Sequence, residues 1–183
     1  MYNLSLMPEE GLRGVLPSRA PGIGDRAPDF ELPALIEGVR KPLRLRDYRG
    51  NRNVILAFYP FNWQESSARQ LASYQAIRAR VLAAKAETIA ITVDSIMNTT
   101  AWERSIGPFE FPLCSDFWPH GEVCRKYGVL KLSSHDGGAN DALGAAERTI
   151  VALDAQGNVV FRKIYDADDP APLDEVLAAF EMH

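Results

Sequence analysis

Two adjacent hydroxyls, Ser66 and Ser67, sit in the stretch NVILAFYPFNWQESSARQ, residues 53–70, where local structure favours chemistry. The apolar run Val54 to Tyr59 reads as a strand buried on both faces. Pro60 has no N–H for a sheet ladder and ends it. After a four-residue turn, Glu65 opens a helix whose apolar stripe is Leu71, Tyr74, Ile77 and Val81. A strand, tight turn and helix start aim backbone N–H groups and the positive end of a dipole at a small pocket. Serine as a nucleophile needs an adjacent base. His120 and His135 fall in loops or at a helix start and His183 is the last residue, so no histidine is placed in sequence to serve Ser67. Read without a base, Ser67 is a polar first-turn residue or, with Ser66, an N-cap.

Other residues offer weaker chemistry. Arg148 in ERTIVALD, read by itself, is an exposed arginine at a strand start. Cys114 and Cys124 read first as small buried hydrophobes. A redox pair is the sharper alternative, but a C-x9-C spacing is no motif and bridging needs Cα atoms within about 7 Å. Ser134-His135-Asp136 offers two metal-ligand types in a polar loop, and a solvated loop explains them better.

These residues need a scaffold. Asp29 to Leu32 and Leu43 to Leu45 alternate in and out and are expected to form a short hairpin covering the sheet. Residues 47–50 read as a turn or a single helical turn ended by Gly50. Thr88 to Val93 is a second buried strand. Asn98 is expected to cap a helix carrying Trp102 and Ile106 and ended by Gly107. Phe111 to Leu113 reads as a short strand, with Pro112 at an edge or a strand start. Gly121 to Tyr127 is a short helix, and residues 130–146 a long mobile loop. Thr149 to Leu153 and Val159 to Ile164 form a hairpin, and Leu173, Val176, Leu177 and Phe180 stripe a last helix. Repeated βα units followed by a hairpin and a helix make an α/β protein, a mixed central sheet flanked by helices.

The whole chain narrows the function classes. Its 183 residues suit one domain, read as 23–183, with residues 1–22 as an extension lying on the surface or crossing to a partner subunit, disorder being the alternative. Apolar residues at 46% and charged residues at 24% are ordinary for a globular protein. A net charge of −4 leaves no nucleic-acid footprint. No apolar run reaches the roughly 18 residues of a membrane span, and the N-terminus lacks the pattern of a secretory signal. Two cysteines suit a reducing compartment, so the expected location is cytoplasmic.

FYPFNWQESSARQ resembles the active-site segment of peroxiredoxins, the alkyl hydroperoxide reductase and thiol-specific antioxidant (AhpC/TSA) superfamily. That pattern is a proline, a threonine or serine four residues on, and the peroxidatic cysteine three residues after that. Pro60 fits, Gln64 holds the threonine position, and Ser67 holds the cysteine position. GDRAPDFELP, LRDYRG, ITVDS, FPLCSDFWPHGEVCRKYGV and ERTIVALDAQGNV are similar to their counterparts in one-cysteine bacterial members. The resemblance implies a thioredoxin-like fold, reduction of hydrogen peroxide or alkyl hydroperoxides by a thiol reductant, no metal or organic cofactor, and a homodimer. It implies that Arg148 stabilises a thiolate and orients peroxide, and that Pro60 shields the pocket. With Ser67 in the nucleophile's place the protein is expected to be impaired or inactive as a peroxidase, or to act as a non-catalytic binding module for peroxide or another small polar ligand. Serine has no thiolate and no oxidation ladder. Gln64, longer than threonine, is expected to occupy space that peroxide needs. Ser66 also replaces a residue that is usually apolar, and the joint departure favours a pocket that drifted as a unit over an engineered Cys-to-Ser exchange.

Overall fold

The computed structural model describes residues 19–131 and 144–182. The extension up to residue 18, the Ser134-His135-Asp136 cluster and His183 lie outside the described residues. The central strand is β3 (Asn53–Phe58), which pairs in parallel with β4 (Ala86–Thr92) and antiparallel with β8 (Thr149–Leu153). Around it a seven-stranded mixed sheet runs in the order β2-β1-β5-β4-β3-β8-β9. Its other members are β1 (Glu31–Ile36), β2 (Val39–Arg44), β5 (Leu113–Ser115) and β9 (Val159–Ile164).

The unbroken apolar run of β3 splits by the period of two. Val54, Leu56 and Phe58 enter one core with Ile89, Ile91, Cys124 and Tyr127, while Ile55, Ala57 and Tyr59 enter the other with Leu71, Tyr74, Trp102 and Val176. The second core lies under α1 (Glu65–Ala76), α2 (Arg78–Ala83), α3 (Ile96–Ile106) and α5 (Leu173–Glu181), the first under α4 (Glu122–Lys126). Helices therefore flank both faces, as the βα pattern requires.

Several boundaries differ from the sequence expectation. The N-terminal hairpin does not cover the sheet but extends it: β1 pairs antiparallel with β5, and Glu37 and Gly38, both at positive φ, make the two-residue turn. Ser95, not Asn98, caps α3, its hydroxyl accepting the Asn98 amide at 3.2 Å. β5 starts after Pro112, because proline donates no ladder bond, and it lies between β1 and β4 rather than at an edge. The helix expected to run to Val81 breaks at Ile77, which turns Arg78 toward Glu87 at 2.5 Å while Val81 stays buried. The segment read as one loop begins and ends as a small antiparallel ladder, β6 (Leu130–Lys131) with β7 (Ala145–Ala146).

Candidate functional site

Beyond β3 the chain leaves the sheet in two steps. Tyr59 still donates its amide to Ile91 O at 3.0 Å, whereas Pro60 has no amide and its carbonyl accepts from Thr92 Oγ1 at 3.2 Å. The following loop is held by the start of α3. The Asn62 amide donates to Asp94 Oδ2 at 2.6 Å, and its side chain donates to Asn98 Oδ1 at 2.9 Å and Thr99 Oγ1 at 3.1 Å. Tyr59 OH donates to Asn62 Oδ1 at 2.9 Å. Trp63, at φ 61°, lies in the left-handed region that costs a bulky residue on the order of 1–3 kcal/mol, and its indole N–H is fixed on Asn98 Oδ1 at 3.0 Å. Asn98, freed from capping, is thus a clamp on this loop.

Gln64 enters α1 as its N-cap in extended conformation, with its side chain exposed and making no capping bond. Ser67 lies in the first turn and is fully buried. The first helical bond runs from Ala68 N to Gln64 O at 3.0 Å, so the amides of Glu65, Ser66 and Ser67 point out of the helix end.

Arg148, just before β8, comes to this helix end from the other side of β3. It is 7% exposed; Nη1 donates to Gln70 Oε1 at 2.6 Å, and Nη2 donates to Ser66 Oγ at 2.5 Å and to Ser67 Oγ at 3.5 Å. The bond to Ser66 is therefore the close one, and Ser67 is at the limit of reach. Gln70 passes the network on: its Nε2 donates to Tyr74 OH at 3.0 Å, and Tyr74 OH lies 2.9 Å from Tyr165 OH. Burial pushes the Tyr74 phenol well up and that of Tyr165 up to about 12, so both stay protonated. Burial also pulls Arg148 below the usual arginine range, with Tyr165 and Tyr74 opposing the shift. Among the described residues no carboxylate pairs with this guanidinium, which rests on neutral partners alone.

The structure thus brings Ser67, Ser66 and Arg148 together. Pro60 is half-buried at the end of the strand, and Gln64 turns its side chain to solvent. Gln70, Tyr74 and Tyr165 were missed by sequence reasoning. Gln70 could have been found, since it follows Ser66 by four residues on one helix face, but nothing local signals a tyrosine 91 residues from its partner. His120 Nε2 lies 3.0 Å from Gly144 O, and Arg148, not a base, is what reaches Ser67 Oγ. Among the described residues no group of three or more His, Cys, Asp or Glu could hold a metal.

Cys114 and Cys124 are free and fully buried, the first within β5 and the second within α4. Desolvation, reinforced by Asp116, pushes both thiols well above their ordinary range. Asp116 itself accepts the Val123 and Cys124 amides at 3.2 and 2.7 Å. A thiol needs its thiolate to react, so an aromatic disulfide reagent at neutral pH should label neither cysteine in the native protein and both in denaturant. Rapid native labelling would show that one of them is accessible and ionisable.

Comparison with known proteins agrees with this frame. Alkyl hydroperoxide reductase E of Mycobacterium tuberculosis is 31% identical over 142 residues, 78% of this chain and 84% of that protein. Mouse peroxiredoxin-2 is 32% identical over 163 residues, covering 85% of this chain and 75% of the relative. Among solved structures, reduced 2-Cys peroxiredoxin of Plasmodium vivax superposes with a TM-score of 0.75 at 22% identity, covering 87% of this chain and 80% of the other. Peroxidoxin BcpB of M. tuberculosis does so at 0.73 and 23% identity, covering 88% and 97%. These superpositions establish the thioredoxin-like fold. Since the sequence profile of the AhpC/TSA family also matches residues 23–162, the chain belongs to that family, the peroxiredoxins.

Proposed function

We propose that this protein keeps the pocket of a thiol-dependent peroxidase but has no nucleophile for peroxide, and that it serves as a binding module for a small polar or anionic molecule. The observation that carries this reading is the buried Arg148 guanidinium, without a carboxylate partner among the described residues, set against the outward-pointing amides of the α1 start. Charge and helix dipole both favour a negative oxygen there. In the relatives, by name, the activity is hydroperoxide reduction; here the residue at the helix start is a serine hydroxyl, and Cys114 and Cys124 are held as neutral buried thiols. Stoichiometric hydrogen peroxide followed by intact-mass measurement should give no rapid gain of about 16 or 32 Da. Rapid oxidation at Cys114 or Cys124 would instead make that thiol a relocated reactive centre and the protein an active peroxidase.

A homodimer is the second part of the proposal. Trp63, Phe117 and Trp118 are 59, 50 and 83% exposed, more than isolated aromatics need be. Both loops that carry them are tied to Asp94, through the Asn62 amide at 2.6 Å and Ser115 Oγ on the Asp94 carbonyl at 2.6 Å, so they flank the same end of the sheet. Light scattering at tens of micromolar should give twice the chain mass, and Trp118→Glu should return the monomer. A monomeric wild type would remove this part.

A further inference from the structure

A cleft of about 300 Å³ opens on the side of α1 that carries Ser66, Arg69, Gln70 and Ser73. The opposite wall is the segment between β9 and α5, with Asp168, Asp169 and Pro170. Ser67, Gln64 and Pro60 do not line it. The cleft therefore lies beside the position a peroxidatic group would occupy, with Arg148 as the element common to both.

Its charges are layered. Arg148 contributes from the buried floor, while Asp168 and Asp169 are exposed at the rim. The guanidinium has five N–H donors, and the bonds to Gln70, Ser66 and Ser67 leave part of that fork for a ligand. Ser66 Oγ accepts from Arg148, which leaves the serine O–H proton to donate. Arg69, also in the lining, already pairs with Glu65 one helical turn back at 2.5 Å. An anion alone would satisfy the floor but would meet two carboxylates at the rim. A cation alone would face a buried guanidinium. A short molecule with a carboxylate at one end and an ammonium at the other satisfies both, and a cleft near the lower limit of ligand pockets, about 300 Å³, fits nothing much larger.

We infer that this cleft binds a small amino-acid-like zwitterion, its carboxylate on Arg148 and Ser66 and its ammonium toward Asp168 and Asp169. The inference rests on the reading of Arg148 as an anion site and adds the chemical class of the ligand. Burial, which already lowers the proton affinity of Arg148 and meets no carboxylate among the described residues, is relieved when that carboxylate arrives.

Titration of the full chain with alanine, 4-aminobutyrate, butyrate and butylamine, read by backbone amide NMR shifts, tests it. At least one of the two amino acids should bind about fivefold or more tighter than butyrate, the gain expected of about 1 kcal/mol from a rim ion pair. Butylamine should not bind, and the shifts should map to residues 66–73 and 165–171. Asp168→Asn with Asp169→Asn, both at exposed positions, should lower the amino acids to the affinity of butyrate, and Arg148→Met should abolish binding of all three acids. Equal binding of butyrate and both amino acids would overturn the zwitterion and leave a plain anion site. Shifts elsewhere, or none with any probe at tens of millimolar, would overturn the inference and the anion reading together.

Discussion

Ser67→Cys should yield a thiol that ionises below the free value of about 8.5, because it gains the helix end and Arg148, yet it should consume peroxide slowly until Ser66 is also changed. In this structure Arg148 Nη2 is 2.5 Å from Ser66 Oγ and 3.5 Å from Ser67 Oγ, and Nη1 is committed to Gln70. The charge of the guanidinium still favours a thiolate, but the N–H groups nearest position 67 that should orient peroxide are held by Ser66 and Gln70. A hydrogen bond to a charged group contributes about 1.5–3 kcal/mol. Releasing it through Ser66→Ala should raise the peroxide rate of the Ser67→Cys protein by about tenfold or more. Gln64→Thr should add less, because the Gln64 side chain is exposed and bonds nothing at the cap. Thiolate absorbance against pH and single-turnover peroxide consumption in the three variants separate these effects. Full rates from Ser67→Cys alone would show that the Ser66 bond is no obstacle; full rates only with Gln64→Thr would show that the cap residue controls the site.

Arg78→Met should cost about 3 kcal/mol although it touches nothing in the pocket. Glu87 sits in β4 beside the central strand, 8% exposed, and its carboxylate takes Arg78 at 2.5 and 3.2 Å. The next cation, Arg52, is farther, at 3.6 Å. Losing Arg78 leaves this buried carboxylate with only the Thr88 amide at 3.1 Å and the more distant Arg52, whereas removing both partners leaves no buried charge. Arg78→Met with Glu87→Met should therefore recover most of the loss. Urea midpoints of the two variants decide it: equal midpoints would mean that Arg52 and water compensate Glu87 on their own.

Where the chain's own neighbours set the conformation, the sequence was sufficient. β8 and β9 have the limits their residues imply, Thr149–Leu153 and Val159–Ile164, and the strand, proline, turn and helix of residues 53–70 follow from periodicity and from what proline lacks. The resemblance carried by the same segment pointed to the family, because spacing within one turn and helix is local too. Where two local signals compete, tertiary contacts chose. Ser95 and Asn98 both make good caps, and Asn98 was drawn away by Asn62 and Trp63 from a loop some 35 residues earlier. The hairpin of β1 and β2 extends the sheet instead of covering it because β5 supplies the free edge for β1, a fact no hairpin contains. The site divides in the same way. The position of Ser67 at a helix start is written in the sequence. That Arg148 bonds to Ser66 more closely than to Ser67, and joins Gln70, Tyr74 and Tyr165 in one buried network, depends on partners 78 to 91 residues apart. Such distances are closed only when the sheet forms and its core excludes water, since it is burial that makes each of these polar groups need the others.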